Sequence, residues 1–353
     1  MATGTLLARH VFARLPPRVR DRQIEHLATS LCDAVPIEEL GLAGFEYSLR
    51  GEATGFDLFL RFSRKSGRAE RFLGRIVELG LAENEPAWNR ALAFLTAWHD
   101  DAGAFCDFDH VWLEFDLRAA SGTAPGPSLF WHARNDRPTT PLPMTAPDVF
   151  DTIGGSVDEM RAWRAGAQRL SSFSTPELAT VAAGLMLSRV PVTFRACLLS
   201  LRPQTDQRLA RILDDVFQGN PPMVLGEVLG LAAPLRIDLD AGPQFAPRIG
   251  VEWFIDRSRR GGAQEVARVI DTLSARGWID PSRAGGLTSF IGVDRAPADL
   301  AEPWPLSWQL LDRLRGRRST GLGRIVHHVK FTIDPAGLVD VKVYLGATPL
   351  GMP

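Results

Sequence analysis

The sequence predicts an α+β protein: repeated αββα units whose strands pair into antiparallel hairpins and close into a β-barrel surrounded by helices. Three observations carry this expectation. Segments with period-two alternation recur along the chain, most of them in adjacent pairs. Helical stretches separate the pairs. No obvious linker interrupts the pattern, so a single domain over residues 1–353 is expected.

The elements follow in order. In "GFEYSLRGEATGFDLFLRFS", Phe45, Tyr47, Leu49 and Phe56, Leu58, Leu60, Phe62 fall on apolar faces. Glu46, Ser48, Arg50 and Asp57, Phe59, Arg61 fall on the opposite ones. "SGRAERFLGRIVELGL" and "EPAWNRALAFLTAWHD" read as helices. "HVWLEFDL" alternates Val111, Leu113, Phe115 and Leu117 against His110, Trp112, Glu114 and Asp116. "SLFWHAR" sets Leu129 and Trp131 against Ser128, Phe130 and His132. "APDVFDTIGGSVDEMRAWRAGAQ" and "TPELATVAAGLML" read as helices, the second beginning at "TPEL". "VTFRACLLSL" is a single strand that shows Arg195 on one face. After the helix "PQTDQRLARILDDVF", the segment "PLRIDLDAGPQFAPRIGVEWFID" pairs Leu235, Ile237, Leu239 with Ile249, Val251, Trp253. Its polar faces carry Arg236 and Asp238, then Gly250, Glu252 and Phe254. "GAQEVARVIDTLSARGW" and "PLSWQLLDRLRG" are helical, with "SRRGGAQ" and "RGRRSTGLGR" as flanking loops. Nine strands are placed this way, and a tenth is not.

The last hairpin, "HHVKFTIDPAGLVDVKVYLG", holds two of the chain's three lysines and one of its two tyrosines. A loop over Pro335, Ala336 and Gly337 sets Thr332 opposite Asp340, Lys330 opposite Lys342 and His328 opposite Tyr344. Adjacent His327 and His328 then point to opposite faces, which argues against a shared metal. Facing ammonium groups repel, so the two lysines cost stability unless something offsets them. Asp334 and Asp340 could neutralise them, or the pair could await an anion together with Tyr344 and His328. A diphosphate suits such a site.

The apolar strand faces must pack on the helices, leaving a polar face on the other side. An open sheet would leave that face in solvent. Closure would make it the lining of a wide lumen. Two details favour closure: the unbroken repeat, and the large rings of Phe59, Trp112, Phe130, Phe254 and Tyr344, which gain nothing in open solvent.

Repeated units of this kind resemble the ABBA-fold aromatic prenyltransferases, also called PT-barrels. The residues that carry the resemblance are Lys342 and Tyr344 in "VKVY", Glu46 in "FEYSL" and Arg61 in "LFLRF". The compact size is similar to the peptide-modifying, cyanobactin-type branch, whose enzymes serve natural-product biosynthesis. The resemblance implies transfer of an allylic prenyl group from its diphosphate to an aromatic small molecule or a peptide. It implies Glu46 as the catalytic base, and Arg61, His132, Arg195, Arg236, Lys330, Lys342 and Tyr344 as diphosphate ligands. It makes Phe59, Trp112, Phe130 and Tyr344 the shield of the allyl cation. Glu114 and Asp116 are candidate magnesium ligands, and no organic cofactor is expected. Lys-x-Tyr occurs once here, where the family repeats such pairs, and acids on the polar face nearly match the bases. The alternative is a non-catalytic barrel that binds a small molecule, or an accessory protein of a peptide-modifying pathway.

Forty basic and forty-one acidic residues leave a net charge of −1, which offers no pull on nucleic acid. Three scattered cysteines suit a reducing compartment. With no signal-peptide pattern and no long apolar run, a cytoplasmic protein without a membrane span is expected. G-x-x-x-x-G-K-[ST], H-E-x-x-H and G-x-S-x-G are all missing from the sequence.

Overall fold

The computed structural model describes residues 4–37, 39–51, 55–63, 69–80, 85–100, 102–117, 125–133, 142–173, 178–232, 234–255, 262–295, 306–315 and 320–351. Helices α1 (Thr5–Phe12) and α2 (Arg22–Asp33) precede the first hairpin, β1 (Leu40–Ser48) and β2 (Phe56–Ser63). Then come α3 (Glu70–Glu78), α4 (Pro86–His99), β3 (Phe108–Leu117), β4 (Ser128–Ala133), α5 (Leu142–Ile153) and α6 (Val157–Ser171). Next are β5 (Leu178–Met186), β6 (Thr193–Ser200), α7 (Gln207–Val216), α8 (Met223–Leu229), β7 (Leu235–Ala241) and β8 (Phe245–Phe254). The chain ends with α9 (Gly262–Ala275), α10 (Pro281–Ala284), α11 (Leu287–Phe290), β9 (Gly292–Asp294), α12 (Leu306–Leu314), β10 (Gly321–Asp334) and β11 (Gly337–Leu350).

The sheet runs β11-β1-β2-β3-β4-β5-β6-β7-β8-β10, and β10 pairs back onto β11, so ten antiparallel strands close into a barrel. Strand β10 is long enough to serve two neighbours on one side. Residues 328–333 pair with β8, and Leu322–Arg324 pair with short β9. The period-two pattern decides the rest. Phe45, Leu58, Leu113, Trp131, Ile237 and Val343 face outward and are fully buried beneath the helices, packed with Trp88, Phe94, Trp98 and Trp163. The polar strand faces line the interior. The helices carry local start signals: Asp21 caps α2, Asp206 caps α7, and Ser156 with Glu159 forms a reciprocal box at α6.

The architecture implied by the ABBA resemblance is therefore the one the chain forms, and the missing tenth strand is β5. Its segment reads as helix from composition but forms a strand; residues 175–177 of the expected helix start lie outside the described residues. The reason is steric. Ala182 and Gly184 point inward beneath the ring side chains of β4, and a Cβ on Gly184 would stand 2.3 Å from Phe130 Cδ1. The alanines favour helix in isolation, yet small side chains are here what a crowded lumen tolerates. "GLGR", expected as loop, opens β10 instead.

Candidate functional site

The lumen is built rung by rung. One rung places Tyr344, Glu46, Asp57 and Asp116 side by side on β11, β1, β2 and β3. Another runs Lys342, Lys330, Glu252, Arg236 across β11, β10, β8 and β7. A third carries Arg61, Trp112, Phe130, Gly184, Arg195 and Asp240.

Lys330 and Lys342 do face each other in register, as do His328 with Tyr344 and Thr332 with Asp340. Their side chains diverge. Lys342 Nζ lies 2.8 Å from Glu46 Oε1 and 2.7 Å from Asp57 Oδ2. Lys330 Nζ lies 2.5 Å from Asp238 Oδ2 and 3.7 Å from Glu252 Oε1. The offsetting acids thus come from strands on either side, not from within the hairpin. Asp340 accepts from Ser48 Oγ at 2.6 Å, and Asp334 accepts from the backbone of Ala336 at 2.8 Å. Gly250 makes the second pair possible, because a Cβ there would stand 2.7 Å from Lys330 Cε.

The remaining bases are paired too. Arg236 donates to Glu252 at 2.7 Å, and Arg195 forms a fork with Asp240 at 2.6 and 3.0 Å, joined by Arg189 at 3.2 Å. Arg61 donates to the carbonyl of Gly41 and lies 5.5 Å over the Trp112 ring. The lumen is consequently charge-segregated. Lys330, Arg236, Arg195 and Arg189 meet Asp238, Glu252 and Asp240 on one side, a basic pole. Lys342 meets Glu46 and Asp57, with Glu114 close by, on the other, an acidic pole.

Burial and these neighbours set protonation. Burial alone would raise Asp238, but Lys330, Arg236 and Arg195 reverse this and hold it below the carboxylate range. Glu252, buried and beside Asp238, is pushed up to about 7. Asp57 also rises to about 7, through burial and through Glu46 and Glu114, against the pull of Lys342. Glu114 is raised by burial and by Glu46. His132 is held well below its usual value by burial, then by Arg236, His110 and Arg61, so it is a neutral imidazole. The Cys197 thiol, raised by burial and Asp238, is no nucleophile.

A cavity of about 60 Å³ remains, room for roughly four to six water-sized groups. Phe59, Trp112, Glu114, Phe130, His132, Arg236, Lys330 and Tyr344 line it, together with Cys197, Asp238, Glu252, His327 and His328. Phe59 sits 5.5 Å from both Trp112 and Tyr344, and Tyr344 stacks on His328 at 3.8 Å. Of the expected site residues, His132, Arg236, Lys330, Tyr344, Phe59, Trp112, Phe130 and Glu114 meet at this cavity. Glu46, Arg61, Arg195, Lys342 and Asp116 lie on the same inner face beyond its lining.

Two expectations about metals change. A bulge between Val326 and His328 turns His327 inward as well, and the two Nδ1 atoms lie 2.7 Å apart. Alternation alone hides such a bulge. Glu114 groups with Glu46 and Asp57, whose oxygens lie within 4.8 Å of one another, and not with Asp116. Lys342 already supplies positive charge to two of those three. The sequence reasoning also missed Asp240, although it lies two residues beyond Asp238 on the same strand face, opposite Arg195.

No protein-family model matches the chain, and no curated protein matches it. Solved structures are similar in fold. The prenyltransferase PriB in its apo form is 11% identical with a TM-score of 0.49, over 97% of this chain and 94% of that one. A 5-dimethylallyltryptophan synthase from Streptomyces coelicolor is 12% identical with a TM-score of 0.46, over 97% and 95%. A 6-dimethylallyltryptophan synthase from Micromonospora olivasterospora, solved with DMASPP and Trp, is 13% identical with a TM-score of 0.47, over 96% of each chain.

Proposed function

We propose that this chain is a prenyl-transfer enzyme that works inside the barrel. The observation that supports it is one inner barrel face that brings together Lys330, Arg236 and Arg195 with their paired carboxylates, the Glu46–Asp57–Glu114 cluster around Lys342, and the rings of Phe59, Trp112, Phe130 and Tyr344. An allylic diphosphate lies with its phosphates toward Arg195, Arg236, Lys330 and neutral His132, with Arg61, Lys342 and Tyr344 completing the donor set. Heterolysis of the allylic C–O bond leaves the electron pair on the diphosphate, and bases fixed in a water-poor site stabilise it. Phe59, Trp112, Phe130 and Tyr344 cover the allyl group. Glu46 orients an aromatic or peptide acceptor and takes the proton lost on substitution.

The phosphates must first displace carboxylates from the bases they use. Glu252 and Asp57, both pushed up to about 7, are the ones that let go most readily by taking a proton. The second reading is a barrel that binds a small molecule without chemistry. The existing pairing of Lys330, Lys342, Arg195 and Arg236 and the small free volume favour it.

Incubation with dimethylallyl diphosphate and candidate acceptors, following released diphosphate, separates the two. Release that rises with an acceptor and falls at least tenfold in Glu46→Gln supports transfer. Binding without release supports the second reading. Unchanged diphosphate affinity in Lys330→Met would remove the basic pole from the site.

A further inference from the structure

His327 and His328 have no part in the phosphate binding or proton transfer proposed above. The bulge in β10 puts both imidazoles on the inner face, where they line the cavity. Their ring centroids are 5.0 Å apart with planes at 75°, and the two Nδ1 atoms lie 2.7 Å apart. The ring edges that carry Nδ1 therefore point at each other. At that distance one Nδ1 donates its proton to the lone pair of the other. Other side chains hold the rings in place. Tyr344 stacks on His328 at 3.8 Å, and Phe254 packs against both rings at 5.2 and 5.5 Å. His328 Nε2 lies 3.5 Å from Glu252 Oε2.

We propose that His327 and His328 form a two-coordinate site for copper(I), bound between the two Nδ1 atoms. Imidazole nitrogens suit copper and zinc alike, and the number of ligands selects between them. Among the described residues, the one group of three or more His, Cys, Asp or Glu that meets at ligand distance is Glu46, Asp57 and Glu114. The dyad thus has no third such ligand beside it. Zinc sites take three or four protein ligands, whereas copper(I) is satisfied by two. Charge points the same way. Lys330 with Asp238 and Arg236 with Glu252 are already balanced pairs, which leaves little to offset a doubly charged ion.

The ion takes the place of the shared proton. Both rings then carry their proton on Nε2, and each Nδ1 lone pair goes to the metal. The Nε2 proton of His328 faces Glu252, the carboxylate that fixes this tautomer. The rings must part by roughly 1 Å, since two bonds of about 2 Å replace one hydrogen bond. Copper enters reduced and no electron is transferred. The site does not depend on the transfer reading.

Competition against a chromophoric copper(I) chelator, with ascorbate and without oxygen, measures the affinity of the whole chain. One equivalent of copper(I) should bind, and His327→Ala and His328→Ala should each weaken it at least about tenfold. His26→Ala, on the exposed face of α2, should change nothing. Glu252→Gln should weaken binding by about tenfold through the His328 tautomer, and unchanged affinity there would overturn its orienting role. X-ray absorption of the copper-loaded wild type should show two nitrogen ligands in a linear centre, a readout that stands even if a variant fails to fold. A sulfur ligand, from Cys197 or another cysteine, overturns the proposal. So does undiminished copper(I) affinity in folded His327→Ala, or zinc held as tightly as copper(I) by the wild type.

Discussion

Replacing Lys330 by methionine tests how the lumen tolerates so much buried charge. Lys330 Nζ is 2.5 Å from Asp238, and the two side chains are 12% and 4% exposed. Removing one member of a pair this buried typically costs about 3–5 kcal/mol, because the other charge is left without compensation. Asp238 keeps Arg236 Nε at 3.6 Å, which places the expected loss near the low end, about 3 kcal/mol. Asp238→Asn alone should cost less, since Lys330 retains Glu252 at 3.7 Å. The double variant Lys330→Met/Asp238→Asn should recover much of the loss, giving a coupling energy above about 1 kcal/mol. Urea denaturation of the four proteins provides the cycle. Additive losses, or a single-variant cost below about 0.5 kcal/mol, would show that the pair is solvated and that the lumen is not a low-dielectric interior.

Other perturbations follow from the same geometry. Gly250→Ala places a methyl group 2.7 Å from Lys330 Cε, so it should destabilise in the same urea assay and cost less in a Lys330→Ala background, where that atom is gone. Gly184→Ala meets the Phe130 ring at 2.3 Å and should cost about 1–3 kcal/mol by overpacking. Glu252 has a folded-state pKa of about 7, raised above its unfolded value, so the folded chain binds the extra proton between about pH 4.5 and 7. Its contribution is present at the acid end and lost as pH rises through 7. Glu252→Gln should therefore look worse than wild type at pH 5 and comparatively better at pH 8, a relative change on the order of 3 kcal/mol in urea titrations. Asp294 holds Arg324 at 2.6 Å, Arg14 at 3.3 Å and His10, tying α1 to β9 and β10; Asp294→Asn should accelerate amide exchange in α1.

Much of this was legible in the sequence because antiparallel strands with one buried face advertise it at every second residue. Phe45, Leu58, Leu113 and Val343 fix the outer layer, and Lys330 faces Lys342 as expected, although the loop is the two residues Pro335 and Ala336, with Gly337 paired to Asp334 and a bulge at Val339 making up the third residue of offset. What escaped were the features that alternation does not encode. The bulge that turns His327 inward adds one residue without changing composition. Strand β5 is rich in Ala and Leu, good helix formers, and is held extended by its neighbours on both sides. The partners on flanking strands were hidden for a different reason: Asp238 and Asp57, which hold the two lysines, are 92 and 285 residues away in sequence and become neighbours only when the strands assemble.

That last point also explains why facing lysines persist. In an isolated hairpin the two ammonium groups would repel, with only Asp334 and Asp340 to relieve them. In the closed barrel each lysine leans away toward its own carboxylates, so the repulsion that burdens the ribbon is converted into a separation of charge across the lumen. A polyanion arriving at the basic pole gains Lys330, Arg236 and Arg195 if Asp238, Asp240 and Glu252 yield them. Glu252 can yield by taking a proton near neutral pH, whereas Asp238 and Asp240, held below the usual carboxylate range, cannot. Arg236 is thus the base most easily freed for phosphate, and Arg236→Met should weaken diphosphate binding more than Arg195→Met does. Titration of both variants with inorganic diphosphate at pH 6.5 decides it, and equal losses would mean that the phosphates take the whole pole at once.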